Sequence, residues 1–368
     1  MNVPYFDLAR ARARIEDDLQ ARWRRVLDST AFVLGPEVQE LESGFARFVG
    51  AAGCVAVANG TDALVLMLRA LGVEPGDEVI VPAFTFFATA EAVALAGAVP
   101  VFADVDPETL NLDPEDAGRR VTARTVGVLG VHLYGRPFDA DGLQALCDRH
   151  GLWLAEDAAQ AHGASWQGRP VGTLGRLAGW SFYPTKNLGG FGDGGAVTGP
   201  DRALLDRVYL LANHGQDRRY HHLLVGTNSR LDALQAAVLN CRLAHLAADN
   251  ERRRQIACRY QGLLAGAGDV SFPVDRPGAF TVYHQFALRT ARRDQLAAFL
   301  AERGVGSSIH YPEPVHSQPA FADHRQAGEA MPVAEAAARE LLCLPVFPEL
   351  TDDEVERVGA AVRAFYEG

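Results

Sequence analysis

The residue with the clearest chemical potential is the only lysine of the chain. Lys186 stands among 35 basic residues, and all the others are arginine. Arginine keeps its proton at any usable pH, whereas a desolvated lysine amine can lose its proton and form an imine with a carbonyl compound. A strand is predicted over residues 177–181, and Lys186 lies in the loop that follows it. A glycine-rich stretch comes next, at 189–195. Lys186 is therefore a candidate for covalent attachment of a carbonyl ligand; the alternative is a lysine left by chance on a surface loop.

A carboxylate precedes this lysine at the end of another predicted strand. Asp157 follows the apolar run 153–156. Open α/β sheets bind ligands at the carboxyl ends of their strands, and an aspartate there can keep the nitrogen of a bound pyridine ring protonated. The alternative is an N-cap for a helix predicted over residues 158–162. Gln160 and His162 would then lie near the start of that helix, within reach of the ligand.

Two further strand ends predict a phosphate site and an aromatic face. Gly60 and Thr61 open a predicted helix directly after a predicted strand at 55–58. The free N–H groups of a helix start bind phosphate well, although the same residues also make a good cap without any ligand. An aromatic run at 84–87 follows the predicted strand at 78–81. One of these rings could stack on a flat ligand, or all of them could pack in the core.

Together these residues supply an imine-forming amine, a partner for a pyridinium nitrogen, a phosphate cradle and a stacking face. Pyridoxal 5′-phosphate (PLP) needs that set, so PLP is the predicted cofactor. Other phosphate-binding motifs match less well. The chain has no G-x-x-x-x-G-K-[ST] loop, and a G-x-G-x-x-G pattern at Gly190, Gly192 and Gly195 precedes a predicted strand instead of following one.

Composition excludes several functional classes. The chain has 368 residues, 48% of them hydrophobic, and a formal net charge of −11. That charge argues against nucleic acid or an anionic membrane as a partner. We expect neither a signal peptide nor a membrane-spanning segment. The five cysteines show no C-x-x-C pairing, which favours buried thiols in a reducing compartment over disulfides or a metal site. We therefore expect a cytoplasmic protein without a bound metal.

The elements that must position these residues form an α/β pattern. Between residues 53 and 212, β-rich runs alternate with helical patterns. Such alternation predicts βαβ units and a mainly parallel sheet with helices on both faces. A long helical stretch is expected from residue 231 to 264. The predicted fold is a large PLP-binding domain over residues 1–245, with an N-terminal helical segment, and a smaller C-terminal α/β domain over residues 246–368.

The motifs resemble those of the DegT/StrS-type sugar aminotransferases, a branch of the fold-type I PLP enzymes. The similarity extends over essentially the whole chain, and it is carried by the motifs at residues 34–38, 58–64, 75–80, 156–160, 181–187, 213–215 and 310–312. One departure is Ser229, where many members have an aromatic residue. Some members have histidine in place of the lysine and remove a hydroxyl group, and Lys186 argues against that activity.

The resemblance implies roles for individual residues. It makes Lys186 the Schiff-base residue and Asp157 the partner of the pyridinium nitrogen. Ring binding and stacking fall to Gln160 and Phe86. The resemblance also implies a homodimer with active sites at the subunit interface. The phosphate would be held by Gly60, Thr61, Ser181 and, from the neighbouring subunit, Asn228, and the substrate pocket would include His310 and Tyr311. Tyr183 and Arg230 are further candidates for substrate binding.

By the same resemblance the reaction is a ping-pong transfer of an amino group from L-glutamate to a nucleotide-linked keto sugar, for aminosugar or surface-polysaccharide biosynthesis. Residues 32–38, 60–64 and 214–222 are closer to members acting on 3-keto sugars, including UDP-linked 3-oxo uronates, than to those acting on 4-keto sugars. Candidates for binding the anionic substrate are Arg218, Arg219, Arg230, His221 and His222; the alternative for this run is a solvated loop. A 4-keto sugar aminotransferase, a PLP-binding regulator without turnover and a nicotinamide-dependent sugar oxidoreductase remain as alternatives.

Overall fold

The computed structural model describes residues 2–324, 326 and 328–368. Its strands are β1 Gly53–Val57, β2 Glu78–Pro82, β3 Val99–Ala103, β4 Thr125–Val131, β5 Trp153–Asp157, β6 Ser165–Trp166, β7 Arg169–Pro170, β8 Ala178–Ser181, β9 Gly195–Gly199, β10 Gln216–Arg218, β11 His221–His222, β12 Ala279–Phe280, β13 Phe286–Arg289 and β14 Leu341–Leu344. Its helices are α1 Leu8–Ala13, α2 Glu16–Ser29, α3 Pro36–Val49, α4 Gly60–Ala70, α5 Ala88–Leu95, α6 Pro114–Arg120, α7 Ala140–His150, α8 Arg202–Ala212, α9 Ala233–Leu243, α10 Leu246–Leu264, α11 Arg293–Glu302, α12 Pro332–Glu340 and α13 Asp352–Glu367.

A seven-stranded sheet with the order β1-β9-β8-β5-β4-β2-β3 forms the centre of the molecule. β9 is antiparallel to both of its neighbours, and the other adjacent pairs are parallel. The prediction of a mainly parallel sheet in an α/β fold is therefore confirmed.

Alternate residues of each strand enter two separate hydrophobic cores. In β2, Val79 and Val81 belong to one core and Ile80 to the other. Val128 and Leu129 of β4 divide in the same way. Because both faces are covered, these strands read in the sequence as continuous apolar runs rather than as alternating patterns.

Strand direction and register place the candidate site residues at one edge of the sheet. β5 ends at Asp157 and β8 ends at Ser181, and the two strands run parallel. Gly195 of β9 pairs with both Ser181 and Val57, so β1 ends level with β8. The turn into α4 at Gly60 therefore lies beside the strand end that precedes the lysine loop.

One expectation about helices is wrong. Residues 158–162 form turns and not a helix: Ala161 donates to the Ala158 carbonyl at 2.9 Å, and Ala164 donates to the Ala161 carbonyl at 2.9 Å. Gly163 follows with φ of +88°, a left-handed conformation that interrupts a right-handed helix. Asp157 is consequently not a helix cap. The expected helical stretch after residue 231 is present as two successive helices, α9 and α10.

A third hydrophobic core lies in the C-terminal part of the chain. α10 and α13 pack there on the antiparallel pair β13 and β14. The N-terminal segment joins this part, because Val3 forms a parallel bridge with Val305. α10 begins at Leu246, yet Leu246 itself belongs to one of the cores of the large sheet. The division of the chain at residue 245 stays a prediction. Among the described helices, none is long and apolar enough to cross a membrane.

Candidate active site

A cavity of about 590 Å³ opens at the edge of the sheet where β5 and β8 end. Its wall includes ten of the residues predicted from the sequence: Gly60, Thr61, Phe86, Asp157, Gln160, Ser181, Tyr183, Lys186, His310 and Tyr311. A more open hollow of about 710 Å³ lies near Arg120 and Glu329, and its described wall holds none of the predicted site residues. The chemistry therefore identifies the smaller cavity as the site.

Lys186 lies half-buried in the cavity wall, on a loop that several hydrogen bonds fix. Its N–H donates to the Tyr183 carbonyl at 2.8 Å. The next side chain, Asn187, donates to Asn250 at 2.9 Å and to the Val282 carbonyl at 3.1 Å. Burial lowers the pKa of the Lys186 amine to about 8, against the opposing effect of Asp157. At pH 7 roughly one Lys186 amine in ten is thus neutral and able to attack a carbonyl group.

Asp157 is a buried carboxylate at the end of β5. Its Oδ2 accepts a hydrogen bond from the Thr89 hydroxyl at 2.8 Å, and its Oδ1 accepts one from the Ala159 N–H at 3.2 Å. Burial raises the pKa of Asp157, while the Thr89 hydrogen bond, the Ala159 N–H and the positive charge of Lys186 act in the opposite direction. An aspartate in the cavity wall, held in place by these two hydrogen bonds, is suited in its ionised form to accept a further bond from a protonated ligand nitrogen.

The start of α4 forms a cradle whose shape depends on glycine. The Asn59 side chain caps the helix by accepting from the Asp62 N–H at 2.8 Å, and the first helical bond runs from Ala63 to the Asn59 carbonyl at 3.1 Å. The N–H groups of Gly60 and Thr61 precede these bonds. A Cβ atom at Gly60 would lie 2.6 Å from the Ser181 Cβ, so only glycine fits there.

The residues present fit PLP. The cradle at Gly60 is closed to side chains and edged by the Ser181 hydroxyl, as a phosphate site requires. The Nε2 atom of His310 is buried in the cavity wall without a hydrogen-bond partner among the described residues. Burial lowers the pKa of His310 to about 4, so this nitrogen is neutral at physiological pH. An amine, a carboxylate and a phosphate cradle thus share one cavity.

The Gln160 side chain is held between two tyrosines at the cavity wall. Its Oε1 accepts from the Tyr134 N–H at 2.6 Å, and its Nε2 donates to the Tyr311 hydroxyl at 3.0 Å. One N–H of the amide remains for a ligand oxygen. The Phe86 ring stands 5.8 Å from the Tyr311 ring and is 55% exposed. Phe86 is therefore open to a flat ligand on its other side.

His162 lies in a different environment from its neighbour Gln160. It is absent from the described cavity wall and packs against Phe45, Trp180 and Phe182, with the Trp180 ring centroid at 5.2 Å. Burial lowers the pKa of His162 to about 3, so the ring is neutral. The expectation that His162 reaches the ligand is wrong, because residues 158–162 do not form the helix on which it rested.

Two predicted residues, Asn228 and Arg230, do not line the cavity of the described chain. Asn228 is exposed and bridges to Asn213, and Arg230 donates to the Asn213 side chain at 3.1 Å. The residue between them has a structural explanation. Ser229 is fully buried, donates to Asp62 at 2.6 Å and accepts from the Ala58 N–H at 3.1 Å. Through these bonds Ser229 holds in place the residues on either side of the cradle in the sequence. An aromatic side chain at this position could form neither bond.

The cavity also contains residues that sequence reasoning missed: Phe6, Asn59, Thr85, Asp193, His284 and Gln285. Asn59 had a readable signal, since asparagine before a helix is a strong N-cap. Phe6, His284 and Gln285 come from distant parts of the chain, and no local pattern marks them. Thr89 lies just behind the wall and had no signal either, because a threonine near a helix start is common.

Comparison with known proteins agrees with this geometry. The model of the DegT/DnrJ/EryC1/StrS aminotransferase family matches residues 13–363. The chain is 46% identical over 365 residues to the dTDP-3-amino-3,4,6-trideoxy-alpha-D-glucose transaminase of Streptomyces venezuelae, covering 99% of this chain and 96% of that one. It is 43% identical over 360 residues to the UDP-2-acetamido-2-deoxy-3-oxo-D-glucuronate aminotransferase of Pseudomonas aeruginosa, covering 98% and 99%.

Comparison with solved structures leads to the same family as comparison of the sequences. The crystal structure of S. venezuelae DesV in complex with a ketimine intermediate superimposes with a TM-score of 0.97 at 46% identity, covering 100% of this chain and 99% of that one. The prediction of a PLP-dependent enzyme of fold type I is confirmed. A match over nearly the whole chain, together with the cavity built around Lys186, shows that this protein belongs to the DegT/DnrJ/EryC1/StrS aminotransferase family.

Proposed function

We propose that the protein transfers an amino group from L-glutamate to a nucleotide-linked keto sugar, with Lys186 and Asp157 as its catalytic residues. The observation that carries the proposal is the presence of Lys186, Asp157 and the cradle at Gly60 in the wall of one cavity. An amine with a lowered pKa, a buried carboxylate and a phosphate cradle correspond to the aldehyde, the ring nitrogen and the phosphate of PLP.

Bound PLP supplies an electron-withdrawing ring that weakens the bond between the amino donor's Cα and its proton. Lys186 would hold the cofactor covalently through its Nζ, and the same atom, as a free and neutral amine, would accept the proton from the donor's Cα. Asp157 holds the proton of the ring nitrogen through its buried carboxylate. For the sugar, the amine of Lys186 would move a proton in the opposite direction, onto the sugar carbon that receives the amino group.

The other predicted residues bind and orient. Gly60, Thr61 and Ser181 would hold the phosphate through N–H and hydroxyl groups, and Gln160 would donate its remaining N–H to the ring oxygen. Phe86 would cover one face of the ring. The substrate side is assigned to Tyr183, His310 and Tyr311, which line the same cavity.

We propose C3 of the sugar as the aminated position, and a UDP-linked 3-oxo uronate as one candidate substrate. The support is that the two relatives described above are named for a 3-amino and a 3-oxo sugar. A 4-keto sugar is the alternative. Arg218, Arg219 and Arg230, which stand on or near an exposed hairpin, are proposed to attract the anionic nucleotide.

We further propose a homodimer in which Asn228 and Arg230 of each subunit complete the site of the other. Large apolar side chains stand exposed in and around this region: Phe86 is 55% exposed, Tyr183 53%, Tyr220 80% and Val225 85%. Exposed apolar surface of this kind favours contact with another protein surface. A cytoplasmic location is part of the proposal, supported by five cysteines that form no disulfide.

The first test is a visible absorbance spectrum of the purified protein with PLP, before and after L-glutamate, with Lys186→Arg as the matched control. We expect the wild type to show the band of lysine-bound PLP, to lose it on addition of glutamate and to release 2-oxoglutarate. The variant keeps the positive charge but cannot form the covalent bond. A wild type that binds PLP without releasing 2-oxoglutarate would favour the regulator, and absence of PLP binding would refute the proposal.

The substrate class needs a second measurement. Protein that has first reacted with L-glutamate is mixed with matched UDP- and dTDP-linked sugars. These sugars carry the ketone at C3 or at C4, with and without a C6 carboxylate. We expect consumption of the 3-keto compounds. Preference for a 4-keto compound would overturn the C3 assignment and leave the aminotransferase assignment intact.

A further inference from the structure

Two buried threonine hydroxyls form a chain of hydrogen bonds that leads to Asp157. The Thr89 Oγ1 donates to the Asp157 Oδ2 at 2.8 Å, and the Thr85 Oγ1 lies 3.1 Å from the Thr89 Oγ1. Both side chains are shielded from solvent, with 0% exposure for Thr89 and 2% for Thr85. A hydroxyl has one proton to donate. Since Thr89 gives its proton to Asp157, Thr85 donates to Thr89, and the chain of donors ends on the carboxylate.

The bonds to Asp157 favour one protonation state. Oδ2 accepts from Thr89 and Oδ1 from the Ala159 N–H. An ionised carboxylate accepts at both oxygens, whereas a protonated one must turn one oxygen into a donor. The other ionisable groups that face Asp157 are Lys186, His132 and Tyr311. Burial acts against the charge and raises the pKa of Asp157, so the donors compensate for an unfavourable environment.

We propose that Thr89, supported by Thr85, is a positioning residue that keeps Asp157 ionised and directed at the nitrogen of the cofactor ring. This inference rests on the proposed role of Asp157. Thr89 is the second residue of α5 and is absent from the described cavity wall, so it acts on the ring through the carboxylate and does not touch the ring itself. A hydrogen bond to a charged group changes an equilibrium constant by roughly tenfold to a hundredfold. Its loss should therefore appear in cofactor binding.

The test compares two cofactors that differ only at the ring nitrogen: PLP and 1-deazapyridoxal 5′-phosphate, in which carbon replaces that nitrogen. Dissociation constants are measured for apo-protein with Thr89 and with Val, Ser or Ala at position 89. Thr89→Val keeps the shape of the side chain without the hydroxyl, and Thr89→Ser keeps the hydroxyl. We expect Thr89→Val to weaken PLP by about tenfold or more and the deaza compound by less than about twofold. Thr89→Ser should restore the preference for PLP.

Thr89→Ala gives the same comparison if the valine variant does not fold, since alanine is well tolerated in a helix. Equal loss of affinity for both cofactors would mean that Thr89 only packs against its neighbours, and an unchanged preference for PLP would mean that its hydrogen bond is dispensable. Either result refutes the inference. Asp157→Asn separates the two claims: if that variant keeps the preference for PLP, the proposed role of Asp157 fails; if it loses the preference and Thr89→Val does not, only the inference fails.

The dependence of PLP binding on pH gives an independent reading. The preference for PLP over the deaza compound should decline at acidic pH as Asp157 becomes protonated, and this decline is the acid limb. Loss of the Thr89 donor raises the pKa of Asp157 further, so the limb should move to higher pH in Thr89→Val. In Thr89→Ser the limb should stay in place. A limb that moves equally in both variants would contradict the assignment to the hydroxyl.

Discussion

The pKa of Lys186 offers a quantitative test of the site without any sugar substrate. The amine lies in the cavity wall, and burial lowers its pKa from 10.5 to about 8. At pH 7 roughly one such amine in ten is neutral, whereas an amine of ordinary pKa is neutral in about one case in 3,000. Because only the neutral amine attacks a carbonyl, Lys186 should react with PLP about 300-fold faster than an ordinary lysine of equal nucleophilicity.

The assay is unusually clean because Lys186 is the only lysine of the chain. Apo-protein is mixed with PLP between pH 6 and 10, and the initial rate of imine formation is followed by absorbance. A blocked lysine amino acid, treated in the same way, serves as reference and cancels the ionisation of PLP itself. We expect the rate for the protein to rise until about pH 8 and to level off above about pH 9, while the reference continues to rise.

Asp157 sets the direction of a second change. Its negative charge raises the pKa of Lys186, against the larger effect of burial. Asp157→Asn should therefore move the plateau of the rate to lower pH. A protein whose rate rises in parallel with the reference up to pH 10 would refute the argument, because the amine would then be solvated and the cavity would not control its charge.

Three further changes test the supports of the site. Gly60→Ala should weaken PLP by more than about tenfold at unchanged far-ultraviolet circular dichroism, since the new Cβ would lie 2.6 Å from the Ser181 Cβ; unchanged affinity would place the phosphate elsewhere. Glu156→Gln should lower the free energy of unfolding by about 2–4 kcal/mol in urea denaturation, because this buried carboxylate accepts three backbone N–H groups. Exposed Glu108→Gln is its control and should change stability by less than about 0.5 kcal/mol. Gly262→Ala should raise the free energy of unfolding by about 0.5–1 kcal/mol in thermal unfolding, because Gly262 stands in an open position within α10. A lower free energy of unfolding would contradict the open surroundings of this position.

The parts of the site that were predictable lie at the ends of strands. Gly60, Asp157 and Ser181 each follow an apolar run, and the ends of parallel strands converge at one edge of a sheet whatever the details of packing. Lys186 was recognisable from its chemistry alone. Conversely, the helix expected at 158–162 was wrong because five residues are too few for a periodic pattern to distinguish a helix from successive turns.

Other residues of the site could not be found in this way because their contacts join distant parts of the chain. Thr89 meets a carboxylate 68 positions away, and the Tyr5 hydroxyl meets the Gln285 side chain 280 positions away. Such contacts depend on how α5 starts and on where the C-terminal part docks. Neither is encoded in a local pattern of residue types.

By itself, then, the sequence determined which chemistry was available and where the sheet would present it. One lysine, one aspartate at a strand end and one glycine at a helix start define an amine, a carboxylate and a phosphate cradle, since these properties belong to residue types and to strand direction. Only the tertiary structure decided how readily the amine and the carboxylate ionise. Burial lowers the pKa of Lys186 and raises that of Asp157, and Thr89 opposes the latter shift, because solvation and hydrogen bonding depend on neighbours that the fold assembles.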